Sequence, residues 1–200
     1  PSKVPVLKTL LAYSSISHMG YTLVAFSTGT FEGMQTLFCY LFLYMLASLC
    51  IWSIFLVLQL KYKYTKKQNK DLADLNLLNK SNNILALFFS TVLLSIAGLP
   101  PMVGFLVKIG IFLVLIEASM YFIAIVSILC SVISTFYYIR IIKIMYFESS
   151  IAGKLYYPIK SNISILIVCL FYFLLFLFIN PTLLYLISHK IVLLLTMVML

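Results

Sequence analysis

Acidic side chains are scarce in this sequence, and charge of either sign is rare. Asp and Glu together account for 5 of the 200 residues, and all charged types account for 10%. Hydrophobic types make up 64%, and the mean hydropathy is +1.13. A soluble domain of this length needs far more polar surface, so the composition excludes the soluble classes and indicates an integral membrane protein.

Metal-binding and redox motifs are also missing from the sequence. The four cysteines lie inside apolar runs without a Cys-x-x-Cys spacing, and the two histidines are far apart along the chain. Thiols in such runs act as small apolar side chains, and a zinc site needs a closer set of ligands. The sequence contains neither a phosphate-binding loop nor a catalytic triad. We therefore expect no metal and no cofactor in this chain.

Five long apolar runs predict an all-α polytopic membrane protein that forms a single domain over residues 1–200. About 20 apolar residues cross a bilayer as a helix, so four of the runs fit one crossing each. The first nine residues are too short for the apolar core of a signal peptide, so no cleaved targeting segment is expected. The last ten residues are too short to span, and we expect them at the membrane interface or against a partner. The runs cover residues 10–28, 36–60, 84–116, 120–147 and 163–187, and the tail covers 191–200.

The third run carries signals that interrupt a helix. Its 33 residues would measure about 50 Å as a straight helix, against a hydrocarbon core of about 30 Å. Pro100 and Pro101 lack backbone N–H groups, and Gly98 tolerates the dihedral angles of a break. We predict one crossing made of two half-helices, discontinuous at Gly98–Pro101, with Gly104 just beyond the break. Discontinuous helices build ion sites in transporters, whereas a simple proline kink is the open alternative.

Lys108 follows the break by seven residues and lies deep in the predicted membrane. Glu117 comes nine residues later, about 13 Å farther along a helix and on its opposite face. The other acidic residues lie in loops or at helix ends, so the chain offers no carboxylate at this depth. An intramembrane ionisable residue marks a functional site by default, and we predict that Lys108 transfers protons with a partner from another polypeptide. The open alternative is a structural lysine bonded to carbonyls of the broken helix.

A polar stripe runs along the first apolar run. Ser14, Ser17, His18 and Tyr21 share one face of a helix. Such a stripe either holds a chain of waters or joins helices through hydrogen bonds. Histidine can relay protons because it titrates near neutral pH, so His18 is a possible relay, with a hydrogen-bonded packing histidine as the alternative. Two weaker stripes are interpreted by default as helix-packing surfaces. They comprise Tyr40, Tyr44 and Ser48 in the second run and Ser127, Ser131, Ser134 and Tyr138 in the fourth.

Lysine and arginine sort to one side of a five-crossing topology. Twelve of the 14 fall before the first run, in the polar loop 61–83, or in the segment around the end of the fourth run. Lys190 falls on the other side, and Lys108 lies within the membrane. The positive side faces the cytoplasm or the matrix. Topology thus accounts for the basic charge, which weakens a nucleic-acid interpretation and favours anionic lipid neighbours such as cardiolipin.

Two stretches are recognisable as family motifs. "LLAYSSISHMGY" at 10–21 and "SIAGLPPMVGFLVKIGIF" at 95–112 resemble the antiporter-like membrane subunits of respiratory complex I, the proton-pumping NADH:ubiquinone oxidoreductase. The likeness continues through "CYLFLYMLASLCIW" and "LCSVISTFYYIRIIKIMYF", and it is strongest to the subunit 2 branch, whose bacterial counterpart is subunit N. Subunit-5-like members carry a His-x3-His-x3-Lys pattern in the helix that matches 36–60, and subunit-4-like members usually carry Glu in place of Lys108. This chain has neither feature.

The resemblance implies a fold of about 14 helices built from two inverted repeats, each with one broken helix. This chain would supply the C-terminal part, with Lys108 matching the lysine of the second broken helix. A separate N-terminal half of subunit 2 would supply the remaining charged residues of the membrane midplane, and other membrane-arm subunits would be further partners. FMN, iron–sulfur clusters and ubiquinone are expected elsewhere in the complex.

The function implied by the resemblance is proton translocation coupled to quinone reduction. The chain would be a subunit of an enzyme without holding a redox site itself. Its richness in Phe, Tyr, Ile, Lys and Asn is typical of AT-rich mitochondrial genomes, which indicates the mitochondrial inner membrane with the 61–83 loop in the matrix. The alternatives are a cation/proton antiporter subunit and a structural scaffold that does not pump.

Overall fold

The computed structural model describes residues 7–57, 59–61, 66–68, 75, 78–100, 102–147 and 161–199. This part of the chain contains eight helices and two short strands. In chain order they are α1 (Leu7–Phe26), α2 (Phe31–Val57), β1 (Gln59–Lys61), β2 (Lys66–Gln68), α3 (Leu78–Ser81), α4 (Asn83–Ala97), α5 (Val103–Glu117), α6 (Tyr121–Tyr146), α7 (Ser161–Ile179) and α8 (Pro181–Met199).

The predicted helical membrane class is confirmed, with one local exception in the polar loop. There β1 and β2 pair antiparallel, with Gln59 opposite Gln68 and Lys61 opposite Lys66. The pairing satisfies backbone groups in a segment that is too polar for the membrane. An all-α prediction therefore misses a small ribbon between the second and third apolar runs.

Three helices in the described part of the chain are long and apolar enough to cross a membrane. They cover Phe31–Phe55, Tyr121–Tyr146 and Pro181–Val198. Two further apolar helices, Asn83–Ala97 and Ile163–Ile179, are shorter. By length and composition, the first three helices are therefore candidate membrane spans.

Two helices occupy the third apolar run, and the sequence between them explains where the first one ends. The N–H of Gly98 bonds to the carbonyl of Ser95 at 3.1 Å, and the N–H of Leu99 bonds to that of Leu94 at 3.2 Å. With Gly98 at φ = +79°, these bonds form a Schellman motif, which ends a helix at a left-handed residue. Helix α5 then starts at Val103.

Helix α2 lies at the centre of the fold and packs against α1, α4, α5, α7 and α8. One buried apolar cluster joins α2 to α4 and α6 through residues such as Ile54, Leu93 and Ile141. A second cluster joins α2 to α5 and α8 through residues such as Cys39 and Ile111. Ala97 belongs to the first cluster and Val103 to the second, so the residues on either side of the break are buried.

The prediction for the C-terminal region is wrong in its boundaries. A single run over 163–187 with a separate tail at 191–200 was expected, whereas α7 ends at Ile179 and α8 covers Pro181–Met199. Pro181 has no N–H to continue α7, but its fixed φ suits the first position of a new helix. The tail therefore belongs to a 19-residue helix and is not an independent segment.

Gly104 allows α4 and α5 to approach each other closely. A Cβ placed on Gly104 would overlap the carbonyl oxygen of Ser95 and lie 2.9 Å from its carbonyl carbon. Backbone atoms cannot rotate away from such a contact, so the two half-helices would have to separate.

We expect Gly104→Ala to lower stability by about 1–3 kcal/mol, the usual effect of overpacking. Gly20→Ala is a matched control, because a Cβ at Gly20 meets no atom within 4 Å. The control should be neutral or raise stability by about 0.5–1 kcal/mol, since alanine favours a helix. The protein is heated in its native membranes and then extracted with detergent. The measurement is the temperature at which half of it is no longer extracted in soluble form. Equal midpoints for the two variants would contradict the close packing.

Candidate functional site

Lys108 pairs a carbonyl group that the helix break leaves without a partner. In an uninterrupted helix the carbonyl of Ala97 would accept from the N–H four residues later, which belongs to residue 101, a proline without an N–H. Lys108 Nζ instead donates to this carbonyl oxygen at 2.8 Å. The lysine is 4% exposed, so its amine and the carbonyl satisfy each other inside the protein.

Gly98 makes room for the lysine side chain. A Cβ on Gly98 would lie 2.7 Å from Lys108 Cδ and 3.1 Å from Nζ. The left-handed φ of Gly98 also disfavours any residue with a Cβ. Two of the four predicted break residues thus contribute to the site, because Lys108 lies across Gly98 and Gly104 seats α5 against α4. Pro100 is exposed, and Pro101 lies outside the described residues.

The ammonium group has one further neighbour with favourable electrostatics. Lys108 Nζ is 5.3 Å from the centroid of the Tyr21 ring, within the range of a cation–π attraction. Glu117 is exposed at the end of α5, and among the described residues Lys108 forms no ion pair. The bond to Ala97 is the contact expected for a structural lysine, and two N–H groups of an ammonium are left for other partners.

His18 is held between two tyrosine hydroxyls. Its Nδ1 is 2.6 Å from Tyr40 Oη, and its Nε2 is 3.0 Å from Tyr138 Oη. The ring also stacks on Tyr44 with 4.9 Å between centroids. In a neutral imidazole one nitrogen donates and the other accepts, so one tyrosine accepts from His18 while the other donates to it. The sequence alone gave these tyrosines a packing role and did not pair them with His18.

The serines of the predicted stripe bond within their own helix. Ser14 Oγ donates to the carbonyl of Leu11 and Ser17 Oγ to that of Ser14, both at 2.7 Å. Tyr21 Oη instead crosses to α6 and donates to the carbonyl of Ser127 at 3.3 Å. The four residues of the stripe therefore separate into two serines that bond locally and two buried side chains that join helices.

The α1–α6 groove, a surface cleft of about 510 Å³, begins at these serines. Tyr138, whose hydroxyl contacts His18, also lines it. The positively charged Arg140 lies at its edge on α6. Most of the accessible surface of the groove is nevertheless apolar. Its polar and charged lining comprises Thr9, Tyr13, Ser14, Ser17, Ser134, Tyr137, Tyr138 and Arg140.

The two titratable residues singled out by the sequence meet at one small cavity. Its volume is about 10 Å³, and both His18 and Lys108 line it. No group of three His, Cys, Asp or Glu side chains that could hold a metal ion occurs in the part of the chain that the structure describes. An imidazole and an amine can each form hydrogen bonds and exchange protons.

Known proteins match this chain in both sequence and fold. The family model described as NADH:quinone oxidoreductase/Mrp antiporter, transmembrane, matches residues 6–134. NADH-ubiquinone oxidoreductase chain 2 of Marchantia polymorpha is 41% identical over 92% of this chain and 36% of its own length. NADH-quinone oxidoreductase subunit N of Pelagibacter ubique is 45% identical over 71% of this chain and 29% of its own length. The chain thus spans about a third of the length of these relatives.

Two solved structures share the fold. A chain of respiratory complex I from Thermus thermophilus with bound aureothin matches with a TM-score of 0.73 and 27% identity, over 88% of this chain and 38% of that chain. A chain of the Mrp complex from a Dietzia species matches with a TM-score of 0.75 and 18% identity, over 94% of this chain and 42% of that chain. The fold and the buried lysine site define an antiporter-like membrane protein. The chain belongs to the NADH:quinone oxidoreductase/Mrp antiporter transmembrane family, which confirms the resemblance read from the motifs.

We expect Tyr138→Phe to lower stability by about 1–3 kcal/mol, because it leaves a buried ring nitrogen of His18 without a partner. Tyr44→Phe is the matched control, since Tyr44 contacts His18 through its ring face, and phenylalanine keeps that stacking. The control should change stability less than Tyr138→Phe does. The measurement is again the temperature at which half of the protein, heated in its native membranes, is no longer extracted by detergent. An equal fall of this temperature in both variants would argue against the hydrogen bond to Tyr138.

Proposed function

We propose that this chain is the C-terminal part of a subunit 2, the counterpart of bacterial subunit N, in a proton-translocating NADH:ubiquinone oxidoreductase. The observation that carries the proposal is Lys108, a lysine that is buried inside the protein and donates to the carbonyl of Ala97, just before a helix break. An ionisable group at such a place is costly unless it serves a function. The names of the most similar relatives supply the reaction class.

The length of the two half-helices supports a single crossing at the break. Helices α4 and α5 have 15 residues each, so each is about 22 Å long. The hydrocarbon core is about 30 Å thick, which is more than either half-helix covers alone. We infer that they share one crossing, with the break and Lys108 in its interior, and that the 61–83 loop lies on the matrix side of the mitochondrial inner membrane.

Lys108 would exchange a proton, and His18 would act as a relay beside it. Protonated Lys108 is held by the Ala97 carbonyl and by the face of the Tyr21 ring. His18 can pass a proton through its ring, because each of its nitrogens is bonded to a tyrosine hydroxyl. The redox groups, FMN, iron–sulfur clusters and ubiquinone, would lie in other subunits, and this chain would respond to quinone reduction there.

The partners would be the remaining membrane-arm subunits, including a separate polypeptide with the N-terminal half of subunit 2. The described residues give Lys108 no carboxylate, so an acidic partner would come from another part of the assembly. Many large apolar side chains of α6 are exposed, among them Phe122 and Phe136, which leaves a wide surface for other helices and for lipids such as cardiolipin.

A cation/proton antiporter subunit is the second candidate, because the fold also matches the Mrp complex. Purified assemblies of the two kinds differ in a simple assay. An antiporter exchanges sodium for protons without NADH oxidation, whereas the proposed complex moves protons only while NADH is oxidised. A scaffold without pumping would keep the Lys108–Ala97 bond but would not need the lysine to change its charge.

We expect Lys108→Met to slow the lysine-dependent proton transfer by about 10²-fold or more, the usual contribution of a positioned acid or base. We therefore expect fewer protons to be pumped per NADH oxidised in inner-membrane vesicles that contain the assembled complex, and this ratio is the measurement. Lys143→Met is the matched control, because Lys143 is exposed in the last turn of α6. An assembled Lys108→Met complex with an unchanged ratio would exclude the proposed role.

The split-subunit proposal predicts which polypeptide lies against the break. We expect a photoreactive side chain at Met102, the residue just before α5, to crosslink to a separate polypeptide that carries intramembrane Lys and Glu residues. Met197, which is 75% exposed on α8, is the matched control position and should capture other neighbours. Crosslinks from Met102 that yield lipid alone, or a single longer polypeptide containing this chain, would rule out a split subunit.

A further inference from the structure

The α1–α6 groove extends along only part of the two helices that form it. Its lining reaches from Thr9 to Ser17 on α1 and from Arg140 to Cys130 on α6. These stretches correspond to about 12 Å and about 15 Å of helix. Half of a hydrocarbon core of about 30 Å is about 15 Å. The groove therefore has the depth of one leaflet and is too short to hold a membrane-crossing helix along its length.

A contact between α1 and α6 closes the groove at its inner end. Tyr21, one turn beyond Ser17, donates through Oη to the carbonyl of Ser127 at 3.3 Å, and Ser127 lies one turn from Cys130. The serine hydroxyls in the walls are already paired, because Ser17 and Ser134 each donate to a carbonyl of their own helix at 2.7 Å. Since the rest of the surface is mostly apolar, the inner part of the groove suits a hydrocarbon tail.

The outer end of the groove carries a positive charge. From Tyr121, where α6 begins, no charged residue occurs before Arg140, and the intervening helix of about 28 Å matches the hydrocarbon core. Arg140 therefore lies at the level of the lipid headgroups, with the exposed Lys143 one turn farther. The acidic residues that the structure describes, Glu32 and Glu117, lie towards the opposite membrane face, at the start of α2 and the end of α5. Neither can neutralise Arg140.

We propose that the α1–α6 groove binds one anionic phospholipid, with its phosphate at Arg140 and one acyl chain along the groove towards Cys130. A guanidinium matches a phosphate because it can donate two parallel hydrogen bonds. Tyr13 and Tyr137 line the groove one turn inside its outer end and are 75% and 54% exposed. Tyrosine is enriched at the boundary between headgroups and tails. The lipid belongs to the leaflet on the basic side of the membrane, where anionic lipids attract Lys and Arg.

The need for an anionic headgroup is tested by photolabelling of the assembled complex in lipid nanodiscs. The probe is phosphatidylglycerol with a diazirine in the middle of one acyl chain, and phosphatidylcholine with the same chain is the neutral comparison. We expect the anionic probe to label residues 10–17 and 130–137 about tenfold more than the neutral probe, because hydrogen bonds to charged groups are strong. Equal labelling by the two probes would overturn the proposal.

The role of Arg140 is tested with the same probe in assembled variant complexes. We expect Arg140→Gln to lower labelling by phosphatidylglycerol to the level of the neutral probe, because glutamine has no charge to pair with the phosphate. Lys190→Gln is the matched control, since Lys190 is an exposed cation on α8, and it should keep the wild-type labelling. Undiminished labelling in Arg140→Gln would contradict a phosphate site at this residue.

Cryo-electron microscopy of the intact complex tests the occupant without a label. We expect a narrow elongated density that runs from Arg140 towards Cys130 in the wild type and is lost in Arg140→Gln. A polypeptide helix that fills the groove instead would show that a partner subunit covers it, and the lipid site would be excluded. Neither experiment measures proton pumping, so the outcome for Lys108 does not decide the lipid site.

Discussion

The bond between Lys108 and the carbonyl of Ala97 is the constraint on which the rest of the site depends. A helix broken at membrane depth exposes carbonyl groups that neither lipid nor the helix can satisfy, and a lysine at that depth is costly by itself. Lys108 Nζ donates to the carbonyl oxygen of Ala97 at 2.8 Å. This hydrogen bond lowers the free-energy cost of burying both groups. Gly98 must then lack a Cβ so that the lysine can lie across it, and Gly104 must lack one so that α5 can reach α4.

The same close approach determines what surrounds the lysine. Because α4 and α5 meet at backbone distance, the amine of Lys108 shares one small cavity with the hydroxyl of Ser95 and the ring of His18. Helix α2 closes this space with Tyr40, which is 5% exposed, and α6 reaches His18 through Tyr138. Five helices, α1, α2, α4, α5 and α6, thus contribute polar groups to this part of the interior.

Local chemistry made part of this site predictable. Adjacent prolines after Gly98 interrupt the hydrogen bonds of a helix, and a lysine seven residues beyond Pro101 in an apolar run is expected to be buried. The hydrogen bond between His18 and Tyr138 could not be predicted in this way. Tyr138 lies 120 residues away along the chain, and no pattern in a single sequence pairs the two residues. The start of α8 could have been found, since a proline that ends one helix is also a favoured first residue of the next.

A lysine suits this break for a reason that connects its structural and functional interpretations. The carbonyl of Ala97 needs a donor whatever the protonation state of its partner. An ammonium and a neutral amine both carry N–H groups, so Lys108 can keep the bond before and after it releases a proton. An ionised carboxylate offers acceptors alone and would leave the carbonyl unpaired. The contact expected of a structural lysine is therefore also what allows the charge at this position to change while the broken helix stays intact.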